Sequence, residues 1–321
     1  MLATGKSFRS HREIELIRTG SLRAEVTGEA RLAVGNVHLY CMITTGPSGT
    51  RKSFELNGAS VGFSQFLGQA RVVTFVPADL ALVTAGPAVR RTFLNNALAQ
   101  ISATYYRHLA RYGRVLAQKG ALLRGAIAPD RDLLLAYNDE LLSPAAALIE
   151  ARFAFITELR EAAGAVYERW AGARERPIIT YAPNVDLEHG GDTKDRVAAA
   201  LAANLELEIR RKTTLVGPHR DDLRIILDDR PLATYGSQGQ QRTAVLALKV
   251  AEYEVMRTRT GDAPILLLDD VLSELDAQRS GGFLEAVGHF EQAFLTATEF
   301  PAQYRGATRF AIAAAVVDRL N

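Results

Sequence analysis

Residues 265–268 read Ile-Leu-Leu-Leu and are followed at once by Asp269-Asp270. A run so short and so wholly apolar, closed by charge, has the pattern of a strand buried on both faces, as in parallel sheets covered by helices. It constrains the chain toward an α/β fold. It also puts the two acids at the carboxyl end of a central strand, where open α/β sheets bind ligands. There Asp269 could hold Mg²⁺, directly or through water, and Asp270 could polarise an attacking water as a general base. The plainer alternative is a strand that ends in solvated aspartates.

The residues just upstream favour the chemical reading. Gly261-Asp262-Ala263-Pro264 ends a helical pattern in which Val245, Leu248, Ala251 and Val255 share a face. That pattern opens on the small-residue loop Tyr235-Gly236-Ser237-Gln238-Gly239-Gln240-Gln241-Arg242. A glycine-rich loop that starts a helix presents unpaired backbone N–H groups and the positive end of the helix dipole, which together attract anions. Ser237 adds a hydroxyl. Alone, the loop is as readily a surface cap; the acid-tipped strand after the helix tips the balance.

Before this region the periodicity changes twice. Residues 14–84 alternate short apolar segments (32–34, 37–42, 72–76) with turns at Gly28, Gly35, Gly46 and Asn57-Gly58, a strand-and-hairpin pattern. From Pro87, Leu94, Leu98, Ile101, Tyr105, Leu109, Tyr112 and Leu116 recur at helical spacing, predicting one long helix face against a single partner. Asp130 opens a second helical stretch with the stripe Leu142, Ile149, Phe153, Ile156, Leu159, Ala163 and Trp170. Ser143-Pro144 reads as a cap with proline at the first helical position, so the second helix is expected to restart there. Two such helices suggest an antiparallel arm, and an ordinary helical bundle fits the same periodicity. Strands are expected at 177–181 and 223–227, with a helix at 194–209 between them and a turn at Asp228-Asp229-Arg230-Pro231.

Charge adds a second candidate surface. The 321 residues carry a net charge of only +2, yet no acid lies between Asp79 and Asp130, a window that holds Arg90, Arg91, Arg107, Arg111, Arg114, Lys119 and Arg124. Arg107, Arg111 and Arg114 share one helix face, which suits salt-dependent contact with DNA phosphates. The competing expectation is pairing with Glu140, Glu150, Glu158 and Glu161 on the next helix. A single cysteine, Cys41, excludes an intrachain disulfide. With no secretion signal and no apolar run long enough to span a membrane, a soluble, cytoplasmic protein is expected. His219 and Trp170 are read as structural.

Taken in order, Tyr-Gly-Ser-Gln-Gly-Gln-Gln-Arg-Thr (235–243), Leu-Leu-Leu-Asp-Asp-Val (266–271) and Ser-Glu-Leu-Asp (273–276) resemble the RecF family of recombination-mediator ATPases, within the ABC/SMC class of heads. Leu2-Ala3-Thr4-Gly5-Lys6-Ser7, Phe75-Val76-Pro77-Ala78-Asp79-Leu80, Arg90-Arg91-Thr92-Phe93-Leu94 and Leu215-Val216-Gly217-Pro218-His219-Arg220-Asp221-Asp222 agree with it. The resemblance implies an α/β P-loop ATPase head with an inserted antiparallel helical arm: head in 1–87, arm in 88–212, head again in 213–321. It implies that Ser237, Gly239 and Gln240 contact the γ-phosphate of ATP held by a second copy. Asp269 is then the Mg²⁺ ligand, Asp270 the catalytic carboxylate, and Asp276 part of the loop facing the other subunit. The strand end at 295–299 is implied to lie near phosphate. The implied function is ATP-controlled binding of single- and double-stranded DNA at gaps and junctions. It includes an ATP-dependent homodimer and RecR- and RecO-like partners that assist recombinase loading in recombinational repair and replication restart.

The family's G-x-x-x-x-G-K-[ST] loop is expected upstream of the segment resembling residues 2–7, so a strand, that loop and most of a helix are expected to precede Met1 in a complete head. Two look-alikes exist. Gly5-Lys6-Ser7 lacks a preceding strand. Residues 46–53 (Gly-Pro-Ser-Gly-Thr-Arg-Lys-Ser) carry Arg51 where the second glycine is required, and its side chain would obstruct close backbone approach to phosphate. These 321 residues alone are therefore expected neither to bind ATP tightly nor to hydrolyse it. One alternative is a non-hydrolysing DNA-binding or interaction module; another is a small-molecule kinase using Gly5-Lys6-Ser7, which leaves the Ser237 loop unexplained.

Overall fold

The computed structural model describes residues 1–7, 10, 12–125, 129–171, 177–187, 190–271, 283, 290–298, 308–313 and 316–320. The first sheet is an antiparallel meander, β1 (Arg23–Leu32), β2 (Gly35–Gly46), β3 (Gly49–Leu56) and β4 (Ala59–Val61). Asn57 and Gly58 both take positive φ (50° and 79°), the two-residue turn that Asn-Gly favours, and close β3 onto β4. The buried face of this sheet, with Leu39, Cys41 and Phe54, packs on Phe66 from the short helix α1 (Phe63–Phe66).

β5 (Val72–Phe75) starts a second, parallel sheet. It leads through a 3-10 turn (Pro77–Leu80) into α2 (Ala81–Thr84), α3 (Pro87–Ile101), α4 (Ala103–Arg124) and α5 (Arg131–Ala171). The expected long helix from Leu94 to Leu116 is in fact two. Ser102 leaves the helical region (φ −139°, ψ 111°) and its hydroxyl accepts a hydrogen bond from Tyr105 N at 3.1 Å, so a cap interrupts an otherwise continuous stripe. Nor do the two halves share one partner: α3 packs on α8 and β7, α4 mainly on α5. Tyr105, near the start of α4, meets Arg152 on α5, and Leu123, near the end of α4, packs with Leu134 near the start of α5, so the pair is antiparallel.

The expected restart at Ser143-Pro144 does not occur. α5 runs unbroken through Pro144. An internal proline costs about 3 kcal/mol. Leu141, Ala145, Leu148 and Ile149 around it are fully buried, and at roughly 2 kcal/mol per large aliphatic side chain their burial outweighs that cost. Phe153, expected on the buried stripe, is 58% exposed, whereas its neighbour Arg152 is 2% exposed. The buried row is 149, 152, 156, 159, 163, and the guanidinium takes the core position because every face of it finds an acceptor.

β6 (Ile178–Ala182), α6 (Thr193–Arg211), β7 (Asp222–Leu227), β8 (Arg230–Pro231) and α7 (Leu232–Tyr235) follow. β6, β7 and β8 form an antiparallel sheet whose last turn has positive φ at Asp228 and Asp229. α8 (Gln238–Thr260) then returns to the parallel sheet, where β9 (Ile265–Asp269) lies between β5 and β10 (Ala293–Thr296). β11 (Arg309–Ala313) and β12 (Val316–Leu320) pair with each other. One continuous core joins α3–α5, α8 and the parallel strands. Asp262, between α8 and β9, ties the two sheets together, accepting from Ala33 N at 2.7 Å and Arg71 Nη1 at 3.3 Å.

Candidate functional site

Asp269 is the last residue of the central parallel strand, and Thr296, the last of β10, is its register partner. The Thr296 hydroxyl donates to Asp269 Oδ1 at 2.6 Å, which fixes the carboxylate and leaves Oδ2 without a bond from Thr296. Asp270 turns the chain with φ 54°, a left-handed conformation that aspartate tolerates better than most residues. Its amide donates to Thr296 O and Oγ1, both at 3.2 Å. Two carboxylates and a hydroxyl at a sheet's carboxyl edge are the hard oxygen set that Mg²⁺ shares with phosphate, so these residues fit that ion. Sequence reasoning placed the end of β10 near phosphate without giving Thr296 a task; its task here is to orient Asp269. Asp276 lies outside the described residues.

The loop before α8 is built as a reciprocal cap. Ser237 Oγ accepts from Gln240 N at 3.2 Å, and Gln240 Oε1 accepts from Ser237 N at 2.8 Å. The Gln240 side-chain oxygen is thereby engaged in the cap rather than presented to a ligand. Ser237 is exposed, its hydroxyl hydrogen remains available to donate, and Gly239 follows it in the first turn. Gln241, which the sequence did not single out, holds the loop from below: its Nε2 lies 3.2 Å from Leu232 O, 3.4 Å from Ala233 O and 3.2 Å from Gly236 O. At Gly236 a Cβ would come within 2.4 Å of Leu232 Cδ1, so the tight turn needs glycine.

The loop and the acid pair stand apart. The carboxyl end of α8 is tied by Asp262 to Arg71, beside the start of β5, and farther back Glu252 feels the charge of Asp79, past the end of β5. The helix therefore runs antiparallel to the strands. At 1.5 Å per residue its 23 residues span about 34 Å against about 16 Å for the five of β9. Were helix and strand straight and aligned, Ser237 would lie roughly 18 Å past the carboxyl edge.

Neither phosphate-loop look-alike has the required shape. Residues 46–53 form the β2–β3 hairpin, with Gly46 paired to Gly49 and Arg51 to Thr44 in the ladder. Gly5 has positive φ (63°) in a turn closed by its amide on Met1 O, and its carbonyl accepts from Lys52 Nζ at 2.7 Å.

No family model matches the chain. Among curated proteins it is 38% identical to the DNA replication and repair protein RecF of Halalkalibacterium halodurans, over 92% of this chain and 81% of that protein. It is 37% identical to that of Chloroflexus aurantiacus, over 96% and 86%. The chain belongs to the RecF family of DNA replication and repair proteins. A solved structure of the recombination mediator protein RecF with ATPrS, in the RecFOR pathway, covers all of this chain and is 86% covered by it, with a TM-score of 0.90 at 29% identity. The RecF–ATP structure gives 0.88 at 28%. An Smc head from Pyrococcus yayanosii, at 11% identity and a TM-score of 0.50, shares the fold alone. The expected α/β head of the ABC/SMC type is the fold found.

The basic window of this RecF-family chain divides in two. Arg107, Arg111 and Arg114 on α4 are exposed, and among the described residues none of them pairs with an acid. Of the competing acids, Glu158 pairs with Arg259 at 2.8 Å and Glu161 with Arg160 at 3.2 Å. Of the remaining basic groups Arg124 is exposed, whereas Lys119, Arg91 and Arg90 turn inward. Lys119 pairs with Glu208 at 2.5 Å, both fully buried. Arg91 donates to Asp221 O, and Arg90 grips both oxygens of Asp222. Arg152 completes this inner network, reaching Asp221 Oδ2 at 2.9 Å, Pro218 O at 2.6 Å, Asn95 Oδ1 at 2.9 Å and Tyr105 Oη at 3.2 Å. Tyr181 also donates to Asp221, and burial next to that carboxylate pushes its phenol far above the ordinary range. Burial lowers His219 to about 4, and its Nδ1 meets Tyr112 Oη at 2.6 Å. Trp170 stacks edge-on against Phe283.

Proposed function

We propose that this chain is a nucleotide-controlled DNA-binding head of recombinational repair whose phosphate sites are shared between two copies. One observation carries the reading. The helix opening at Ser237 offers first-turn amides and the β9 edge offers two carboxylates, chemistry that suits phosphate and its metal, and the lengths of α8 and β9 put them on the order of 18 Å apart within one chain. A two-fold dimer brings the loop of one copy to the acids of the other. In that arrangement Ser237 and Gly239 donate to the terminal phosphate, Asp269 holds Mg²⁺, and Asp270 orients water as the base for slow hydrolysis that serves as a switch. Gln240 acts by shaping the cap. Arg107, Arg111 and Arg114 hold DNA phosphates, and RecO- and RecR-like proteins act with the head in loading recombinase on gapped DNA.

Neither Gly-Lys-Ser-like stretch forms a strand–loop–helix cradle, so these 321 residues by themselves contribute the Ser237 loop and the acid edge to such a site. Titrated alone with Mg·ATP they should not saturate. Mixed with a P-loop-bearing RecF relative, they should form a Mg·ATPγS-dependent mixed dimer, read by sedimentation, that Ser237→Glu prevents. A mixed dimer indifferent to Ser237→Glu would remove the loop from the site.

A further inference from the structure

The Arg90-Arg91 and Asp221-Asp222 pairs stand out in the sequence, and the phosphate and DNA sites leave them unused. Arg90, near the start of α3, makes four bonds. Nε and Nη2 reach the Asp222 carboxylate at 2.7 and 3.0 Å, and Nη1 reaches Leu82 O at 3.3 Å and Ala85 O at 2.6 Å. These partners lie on two different paths. Leu82 and Ala85 end the segment that leaves the carboxyl edge of β5, the neighbour of the Asp269 strand. Asp222 begins β7, which runs through β8 and α7 into the Ser237 loop. α7 packs on both α2 and β7, and Gln241 fastens the loop to α7. One guanidinium therefore spans from the acid-bearing edge to the strand that delivers the loop.

We propose that Arg90 is a positioning residue that sets the Ser237 loop relative to the Asp269 edge of its own chain, and so couples the two phosphate sites of a dimer. Each chain lends its edge to one site and its loop to the other, so a shift at one site reaches the second through Arg90. What the loop and edge do rests on the function proposed above; how they are held to each other does not.

Two features separate this role from plain packing. The side chains of Arg90 and Asp222 are 12% and 26% exposed, while the adjacent Arg152–Asp221 pair is sealed at 2% and 0% and carries the burden of the core. Among the described residues Arg90 hydrogen-bonds to these two paths, by two carbonyls and a carboxylate, a geometry that lysine cannot reproduce because it lacks the planar fork.

The test is hydrogen exchange by mass spectrometry on the whole chain. Arg90→Lys should speed exchange of the amides at 232–241 about tenfold, with α4 and α5 amides and the urea midpoint unchanged. Asp222→Asn should loosen the same amides, and the double variant should add little to either single one. An unchanged loop overturns the proposal. So does exchange that rises equally in arm and loop with a fallen midpoint, which marks Arg90 as a packing residue, and so does additivity of the two variants. Failure of the dimer reading would appear elsewhere, as nucleotide-independent sedimentation with the loop exchange pattern intact.

Discussion

Arg152→Met is the substitution whose cost follows most directly from the geometry. The guanidinium is 2% exposed and donates to four different partners, of which Asp221 is itself wholly buried. Methionine fills much of the same volume, so the cavity term stays small. The dominant loss is electrostatic. Asp221 keeps Tyr181 Oη and Asn184 N at 2.8 Å but loses its countercharge, and breaking a buried pair from one side costs about 3–5 kcal/mol. Pro218 O and Asn95 Oδ1 lose donors as well. Against a total stability of about 5–15 kcal/mol, this should lower the urea midpoint severely and may be read without extrapolation. The informative control is Arg152→Met with Asp221→Leu, which removes both charges and should recover a large part of the loss. A single variant that costs under about 1 kcal/mol, or a double variant no better than the single one, would refute the claim that the pair is held by mutual charge compensation.

Three further outcomes follow from the same structure. His219 is lowered from 6.5 to about 4 by burial, so the folded state resists a proton that the unfolded state accepts. Its contribution is complete above pH 6.5 and is lost as pH falls toward 4, up to about 3 kcal/mol, and urea midpoints at pH 7.5 and 4.5 should differ less in His219→Gln. Gly217 has φ +125°, and a Cβ there would lie 2.4 Å from Tyr112 Oη, so Gly217→Ala should cost at least about 2 kcal/mol in denaturant unfolding. Charge reversal at Arg107, Arg111 and Arg114 together should weaken duplex binding and flatten its salt dependence by about three in log–log slope; unchanged low-salt binding, by fluorescence anisotropy, would exclude this face.

The parts of the fold legible in the sequence are those set by local pattern. The Ile265–Asp269 strand announced itself by an unbroken apolar run, the Asn57-Gly58 hairpin by its turn residues, and the helix start near Ser237 by its small-residue loop. Misreadings arose where a distant partner decides. Ser102 ends a helix although the stripe continues across it. Pro144 stays inside one because its neighbours are buried. Arg152 and Phe153 exchange their expected places because five elements converge on the guanidinium. Spacing along one helix cannot reveal an acceptor contributed by Asp221, sixty-nine residues away. The same limit hid Gln241 and Thr296, whose value is to hold another residue still.

The adjacent acids 221 and 222 illustrate how one motif can serve two purposes. Asp221 faces inward, where its sealed pair with Arg152 joins α3, α4, α5 and β6 into a single body. Asp222, the next residue along an extended strand, points the opposite way, as alternation requires. It meets Arg90 at a partly open surface, next to the turn that leaves the carboxyl edge. The inner pair is sealed in the core; the outer pair lies between the segment that leaves the β5 edge and the strand that leads to the Ser237 loop. At the far end of α8, Asp262 fixes the helix to both sheets, and at its opposite end Gln241 fixes its start to α7. A helix anchored at both ends acts as a strut of set length, so the spacing between loop and acids is a property of the chain, which the proposed dimer would bridge.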